Sequence, residues 1–235
     1  MSGVAENLIE IRDEIAAACV KAGRAREDVH LIAVSKTFPV ESIREAVEAG
    51  QTIFGESKLQ EAEPKAGVLP ASVEWHFIGR VQRNKVRKIL QIAPVIHAID
   101  SLKLADYVSK VALESGRRPS LYLQVNLADE LSKGGFSRDE LRRDLKAMLS
   151  LPGVEIVGLM TIPPADDDAE NSRKWFKGLR LLRDELEKEF HVSLPFLSMG
   201  MSGDFQIAIE EGATHVRVGS AIFGKRAYRV DGELG

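Results

Sequence analysis

Short apolar runs of strand length recur eight times along the chain, each followed within a few residues by a stretch with helical spacing, and this alternation constrains the fold most. The runs are His30–Ser35, Thr52–Gly55, Trp75–Gly79, Val95–Ile99, Leu121–Asn126, Glu155–Thr161, Phe196–Met199 and His215–Val218. Helical stretches run from Val40 to Gly50, from Lys58, from Arg83, over Leu102–Ser115 and Arg138–Leu149, from Glu170 to Glu189, and over Phe205–Glu211. Parallel strands need a crossover, and helices of this length supply it. A further helix precedes the first strand, with Leu8, Ile11, Ile15 and Cys19 at spacings of three and four and Gly23 closing it. Eight such units in 235 residues fit an α/β fold, a single (β/α)8 TIM barrel spanning 1–235, with the N-terminal helix of 1–24 packed on it and a tail at 225–235. An open doubly wound sheet is the rival, but no strand is followed by G-x-G-x-x-G and no Walker A sequence is present.

Lys plus Arg number 32 against 35 for Asp plus Glu, a net charge of −3 that gives no long-range attraction for nucleic acid or anionic lipid. The single cysteine, Cys19, forms no intramolecular disulfide, and Cys and His never occur at zinc-ligand spacing. Glu6, Glu10, Asp13 and Glu14 interrupt the segment where a signal peptide needs an apolar core. The expectation is a cytoplasmic protein with neither nucleic acid nor membrane as partner.

In a barrel of this class ligands sit at the C-terminal ends of the strands, so the residues closing each strand are the candidates. The first strand ends in Lys36. With period two, Ile32, Val34 and Lys36 share one face and Ala33 and Ser35 the other, so Lys36 can crown the inward face. Apolar walls or a neighbouring cation disfavour the ammonium form, and the neutral amine is a nucleophile toward an aldehyde. A solvated strand-end lysine is the alternative. The loops after the last two strands, MGMSGD at Met199–Asp204 and VGSAIFG at Val218–Gly224, place Gly200, Ser202, Gly203, Gly219 and Ser220 at helix starts. Barrels of this class bind phosphate with these two loops, where small residues permit close approach and unpaired amides favour an anion. Arg217 lies opposite in facing to Val216 and Val218, so it points inward, either to a carboxylate such as Asp100 or Glu56 or to a ligand. His76, His97 and His215 lack metal spacing and read as core or wall residues, and the basic run Arg80, Arg83, Lys85, Arg87, Lys88 as a solvated face.

The runs LIAVSKTFP, IFGESKLQEA, EWHFIGRVQRNK, GLMTIPP and LSMGMSGDFQIAIEEGATHVRVGSAIFG resemble the YggS/PROSC family of pyridoxal 5′-phosphate (PLP) homeostasis proteins, over roughly Leu31 to Gly224. The resemblance implies a PLP fold-type III barrel, similar to the N-terminal domain of alanine racemase, in which Lys36 carries the cofactor as a Schiff base. It also implies that Ser202, Gly219 and Ser220 hold the phosphate, that Arg217 faces the pyridine nitrogen, and that Met160 and His76 line the ring pocket. Where the family usually reads G-E-N this chain has Gly55-Glu56-Ser57, and Ser57 offers its hydrogen bond over a shorter reach. The implied role is a monomer that holds PLP and releases it, with PLP-dependent apoenzymes as possible recipients, and that turns over no substrate. The alternative is a PLP-dependent amino-acid racemase, which needs a second proton donor opposite the lysine. Fold-type III racemases take that donor, a tyrosine, from an added β-rich domain, which this length is not expected to accommodate. Tyr107 and Tyr122 fall in a predicted helix and strand interior, and Tyr228 in the tail. A Schiff-base aldolase acting on a phosphosugar would keep the lysine and the phosphate loops and dispense with the cofactor.

Overall fold

A computed structural model describes residues 3–128, 130 and 134–224; the expected tail at 225–235, with Tyr228, lies outside the described residues. Strands β1 (His30–Val34), β2 (Ile53–Glu56), β3 (Glu74–Phe77), β4 (Val95–Ile99), β5 (Ser120–Gln124), β6 (Glu155–Met160), β7 (Phe196–Met201) and β8 (His215–Val218) close into a barrel in chain order. Neighbouring strands are parallel throughout, and β8 pairs with β1 through His215 to His30 and Arg217 to Ile32. The helices between them are α2 (Val40–Glu48), α3 (Leu59–Ala66), α4 (Val86–Ile92), α5 (Leu102–Glu114), α6 (Arg138–Leu149), α7 (Arg173–Phe190) and α8 (Phe205–Glu210), with α1 (Val4–Lys21) before β1 and α9 (Ser220–Phe223) after β8.

Two of the expected helices start later than their sequence pattern predicts. A 3-10 turn at Arg83–Lys85 precedes α4, and another at Ala169–Ser172 precedes α7. At the second, the Asp168 side chain accepts the Glu170 amide, a local bond that favours a tight turn over an α-helical one.

Alternation along the strands builds two cores. Leu31, Ala33, Phe54, Leu121, Leu123, Val216 and Val218 belong to the outer core beneath the helices. Ala98, Tyr122, Val157 and Met160 form a separate buried cluster inside the barrel. The helix after β8 has only four residues, too few to cover the barrel there, and α1 takes that place. Its buried face of Leu8, Ile11 and Ile15 joins the outer core, each side chain contributing roughly 1.5–3 kcal/mol of burial. Polar ties fix the docking: Asn7 Nδ2 donates to the Ile222 carbonyl at 2.7 Å, and Arg24 Nη1 to the carbonyls of Ile209 and Ala213 at 2.9 and 2.7 Å. Among the described residues no helix is long and apolar enough to cross a membrane, and no group of three potential metal ligands converges.

Candidate cofactor-binding site

Lys36 sits half-buried in a tight turn at the C-terminal end of β1, closed by the Phe38 amide donating to the Ser35 carbonyl at 3.1 Å. The next residue, Thr37, has φ of 71°, a left-handed conformation that is costly for a β-branched side chain. Groups from α3 hold it there. Glu61 accepts the Thr37 amide at 2.6 Å, and the Lys65 ammonium donates to the Ser35 carbonyl at 2.9 Å and to Glu56 Oε1 at 2.7 Å. Ser35 Oγ donates to the same Glu56 oxygen at 2.7 Å. Glu56 follows Phe54 on the outward face, so it meets α3 and not the barrel lumen. Burial pushes its carboxyl above the usual range, and Lys65 opposes that shift.

The loops after β7 and β8 meet beside this turn. Ser202 Oγ accepts the Gly219 amide at 3.2 Å and the Ala221 amide at 3.5 Å. A Cβ at Gly219 would stand 3.1 Å from the Val34 carbonyl oxygen, two residues before Lys36. The rings of Phe38 and Phe223 lie 5.1 Å apart and join the lysine turn to α9. Gly200 has φ of 92°, and a Cβ there would meet the Ala208 Cβ at 2.6 Å, so only glycine lets the loop turn over α8. At Gly203 a Cβ would meet nothing within 4 Å, which leaves open space over the loop. Ser220 is exposed at the start of α9.

Arg217 points into the barrel, as its alternation with Val216 and Val218 predicts, and is 5% exposed. Neither expected carboxylate meets it. Glu56 is turned outward to Lys65, and Asp100 accepts from its neighbour Ser101. The guanidinium instead donates to Ser198 Oγ at 2.7 Å and to the Thr161 carbonyl at 2.9 Å. Of its five N–H donors these bonds use two. Burial draws its pKa down to about 10, with Asp204 pulling the other way. Met160 is buried at the end of β6 in the inner cluster. Ser57, just past β2, is half-buried and borders a cavity of about 170 Å³ with Phe77, Arg80 and Lys85.

His76 is buried, and its two ring nitrogens bond to His97 at 2.9 Å and Glu74 at 3.0 Å, so any part in lining the ring pocket would be through the face or carbons of the ring. Lys36, Ser57, Met160, Ser202, Arg217, Gly219 and Ser220 thus lie at or near the C-terminal ends of β1, β2, β6, β7 and β8, and of these the Ser202–Gly219 contact is a direct one. A cavity of about 640 Å³ between α5 and α6, lined by Asp100, Lys103, Glu140 and Arg143 among others, contains none of them.

A primary amine, a cradle of small residues whose loop lies under open space, and a buried permanent cation fit an aldehyde-bearing aromatic phosphate. Residues 9–227 match the family described as alanine racemase, N-terminal domain. The chain is 43% identical to the pyridoxal phosphate homeostasis protein of Aquifex aeolicus, over 95% of this chain and 98% of that one. This chain belongs to the pyridoxal phosphate homeostasis protein family. Another family member, from Vibrio alginolyticus, is 40% identical over 97% of this chain and 100% of its own. PipY of Synechococcus elongatus PCC7942, solved with PLP bound, superposes with a TM-score of 0.84 at 39% identity, covering 94% of this chain and 100% of that one. Alanine racemase from Clostridium difficile 630 shares the fold at a TM-score of 0.73 and 15% identity, with 58% of its chain covered.

Several residues that build the site escape sequence reading. Ser198 and Thr161 anchor Arg217, and Glu56, Glu61 and Lys65 brace the lysine turn. For Lys65 a signal existed: it lies three residues after Ala62 and six after Leu59, on the buried face of α3. For Ser198 it was alternation with the inward Phe196.

Proposed function

We propose that this protein binds pyridoxal 5′-phosphate on Lys36 and serves PLP homeostasis, holding and releasing the cofactor without turning over a substrate. Ser202, Gly219 and Ser220 receive the phosphate, Arg217 faces the pyridine nitrogen, and Met160 and Ser57 flank the ring. When bound, PLP supplies an aldehyde that condenses reversibly with a primary amine. The observation that carries this reading is the meeting of the Gly219 loop with β1 at Val34, which sets an anion cradle beside the lysine turn. Arg217 supports the homeostasis role. A guanidinium cannot act as the carboxylate that keeps a pyridine nitrogen protonated, so the site favours retention over carbanion chemistry. A cytoplasmic location, a monomeric state and delivery to PLP-dependent apoenzymes belong to the same proposal.

Borohydride reduction of the PLP-loaded protein, followed by digestion and mapping of the pyridoxyl adduct, tests it. The label is expected on Lys36, and Lys36→Ala is expected to lose it while keeping the thermal midpoint, because a half-buried side chain at the barrel mouth adds little to the core. A label found mainly on Lys58, Lys65 or Lys85 overturns the assignment. Ser202→Ala should weaken PLP binding about tenfold, the effect of losing one hydrogen bond to a charged group. Loss of the phosphate should matter more, so pyridoxal bound as tightly as PLP would remove the case for these loops.

A further inference from the structure

Arg217 is buried and no carboxylate is hydrogen-bonded to it among the described residues, although Asp204 acts on it electrostatically, and its contacts do not end at Ser198. Ser198 Oγ, 2.7 Å from Arg217 Nη1, is also 2.8 Å from His97 Nδ1. His97 Nε2 is 2.9 Å from His76 Nδ1, and His76 Nε2 is 3.0 Å from Glu74 Oε1. Ser198, His97 and His76 are buried, whereas the Glu74 side chain is 48% exposed. Glu74 opens β3, so it lies at the face of the barrel opposite the one that carries Lys36.

The direction of this chain is fixed by its ends. A guanidinium only donates, so Ser198 Oγ accepts from Arg217, which leaves it able either to donate to His97 Nδ1 or to accept from it. The other end decides. Glu74, an ionised carboxylate, only accepts, so His76 donates to it from Nε2, and a neutral His76 then takes its second bond at Nδ1 from the Nε2 proton of His97. His97 Nδ1 is left to accept the Ser198 hydroxyl proton. No other pair of neutral tautomers satisfies all four contacts. His215 lies nearby, its ring centroid 6.4 Å from that of His97, but it bonds to Tyr122 and Thr214 and is not a link.

We propose that Glu74 is a second, remote counter-charge of Arg217 besides Asp204, connected to it by Ser198, His97 and His76, and that these four are positioning residues holding the guanidinium where it would face the pyridine nitrogen. What the arginine faces rests on the PLP reading, whereas the relay itself does not. Hydrogen bonds in series polarise one another in a low-dielectric interior, so a charge removed at one end is felt at the other.

Histidine side-chain ¹⁵N–¹H correlation spectra of the PLP-free protein test the relay directly. Both His97 and His76 are expected as neutral Nε2–H tautomers. E74Q keeps an acceptor but removes the charge, and it should displace the ring resonances of His97, two links away, as well as those of His76. S198A should displace those of His76 in turn. In a PLP titration monitored by absorbance, E74Q should bind about fivefold more weakly, the low end of coupling between separated sites. An Nδ1–H tautomer at either histidine, His97 resonances unmoved by E74Q, or unchanged PLP affinity overturns the proposal. If the wild-type protein failed to bind PLP, the tautomers and shifts would still decide the relay, and only the cofactor reading would fall.

Discussion

A buried ion pair helps to hold the lysine turn. Lys65 and Glu56 side chains are 8% and 2% exposed, Lys65 also takes the Ser35 carbonyl, and Glu56 Oε2 is buried with no hydrogen-bond partner. Breaking a buried pair leaves one charge uncompensated, so Lys65→Met should cost about 3–5 kcal/mol in urea unfolding. Replacing both, with Glu56→Gln added, should recover most of that loss, because neither charge is then stranded. A single-mutant loss below about 1 kcal/mol would mean that the pair is already solvated. The sequence singles out Lys36 because it closes the first strand, where period-two alternation would turn it inward. It does not show what braces Lys36, since the bonds from Glu61 and Lys65 to the turn span 24 and 30 residues and form only when α3 packs.

At the scale of elements, the ends of β2 and β3 pass backbone to backbone. A Cβ at Gly79 would lie 2.1 Å from the Ser57 carbonyl oxygen, closer than any side chain can be accommodated without moving a strand end. Gly79→Ala is therefore expected to lower stability by about 1–3 kcal/mol, the usual cost of overpacking, and to displace Ser57 at the site. Gly203→Ala provides the contrast. Nothing stands within 4 Å of a Cβ there, so its thermal midpoint should match that of wild type, within about 0.5 kcal/mol. Equal melting of the two variants would show that the β2 end gives way freely. The alternation of strands and helices is readable locally, to within about three residues at the element ends. The backbone contact at Gly79 is not, because no local pattern says which strand ends will touch.

Over the whole molecule, the barrel interior is built on histidine as well as hydrocarbon. His97 stacks on Tyr122 at 4.2 Å, and His215 bonds to the Tyr122 hydroxyl at 3.2 Å. Burial, reinforced by the Arg217 guanidinium, holds the pKa of both histidines well below the ordinary 6.5. Both are thus neutral in the folded state near neutral pH, while in the unfolded chain they take up protons as pH falls through about 6.5. The unfolded state then binds more protons, and stability must fall with acidification from that point. Each histidine contributes a slope of at most about 1.4 kcal/mol per pH unit. Glu56, whose carboxyl is raised by burial, works in the opposite sense but can offset no more than one proton. Urea midpoints measured between pH 7.5 and 5.5 should therefore drop, and His215→Gln should flatten the decline by about half. A midpoint indifferent to pH over that range would show that these rings are already protonated or reached by water.

The sequence alone settles what depends on neighbours along the chain. Alternating short apolar runs and helical spacing are local properties, and they are enough to close eight parallel strands into a barrel in chain order. The inward facing of Arg217 follows from the strand period, and the small residues at the starts of α8 and α9 are visible in the sequence itself. Tertiary structure decides who meets whom across the barrel. The sequence leaves Arg217 either a carboxylate such as Asp100 or Glu56 or a ligand; in the fold it meets neither of those carboxylates and is linked to Glu74 through Ser198, His97 and His76, contributed by β7, β4 and β3. The physical reason is closure: four strands distant in sequence bring inward side chains to one axis, and the stagger between them selects the partners.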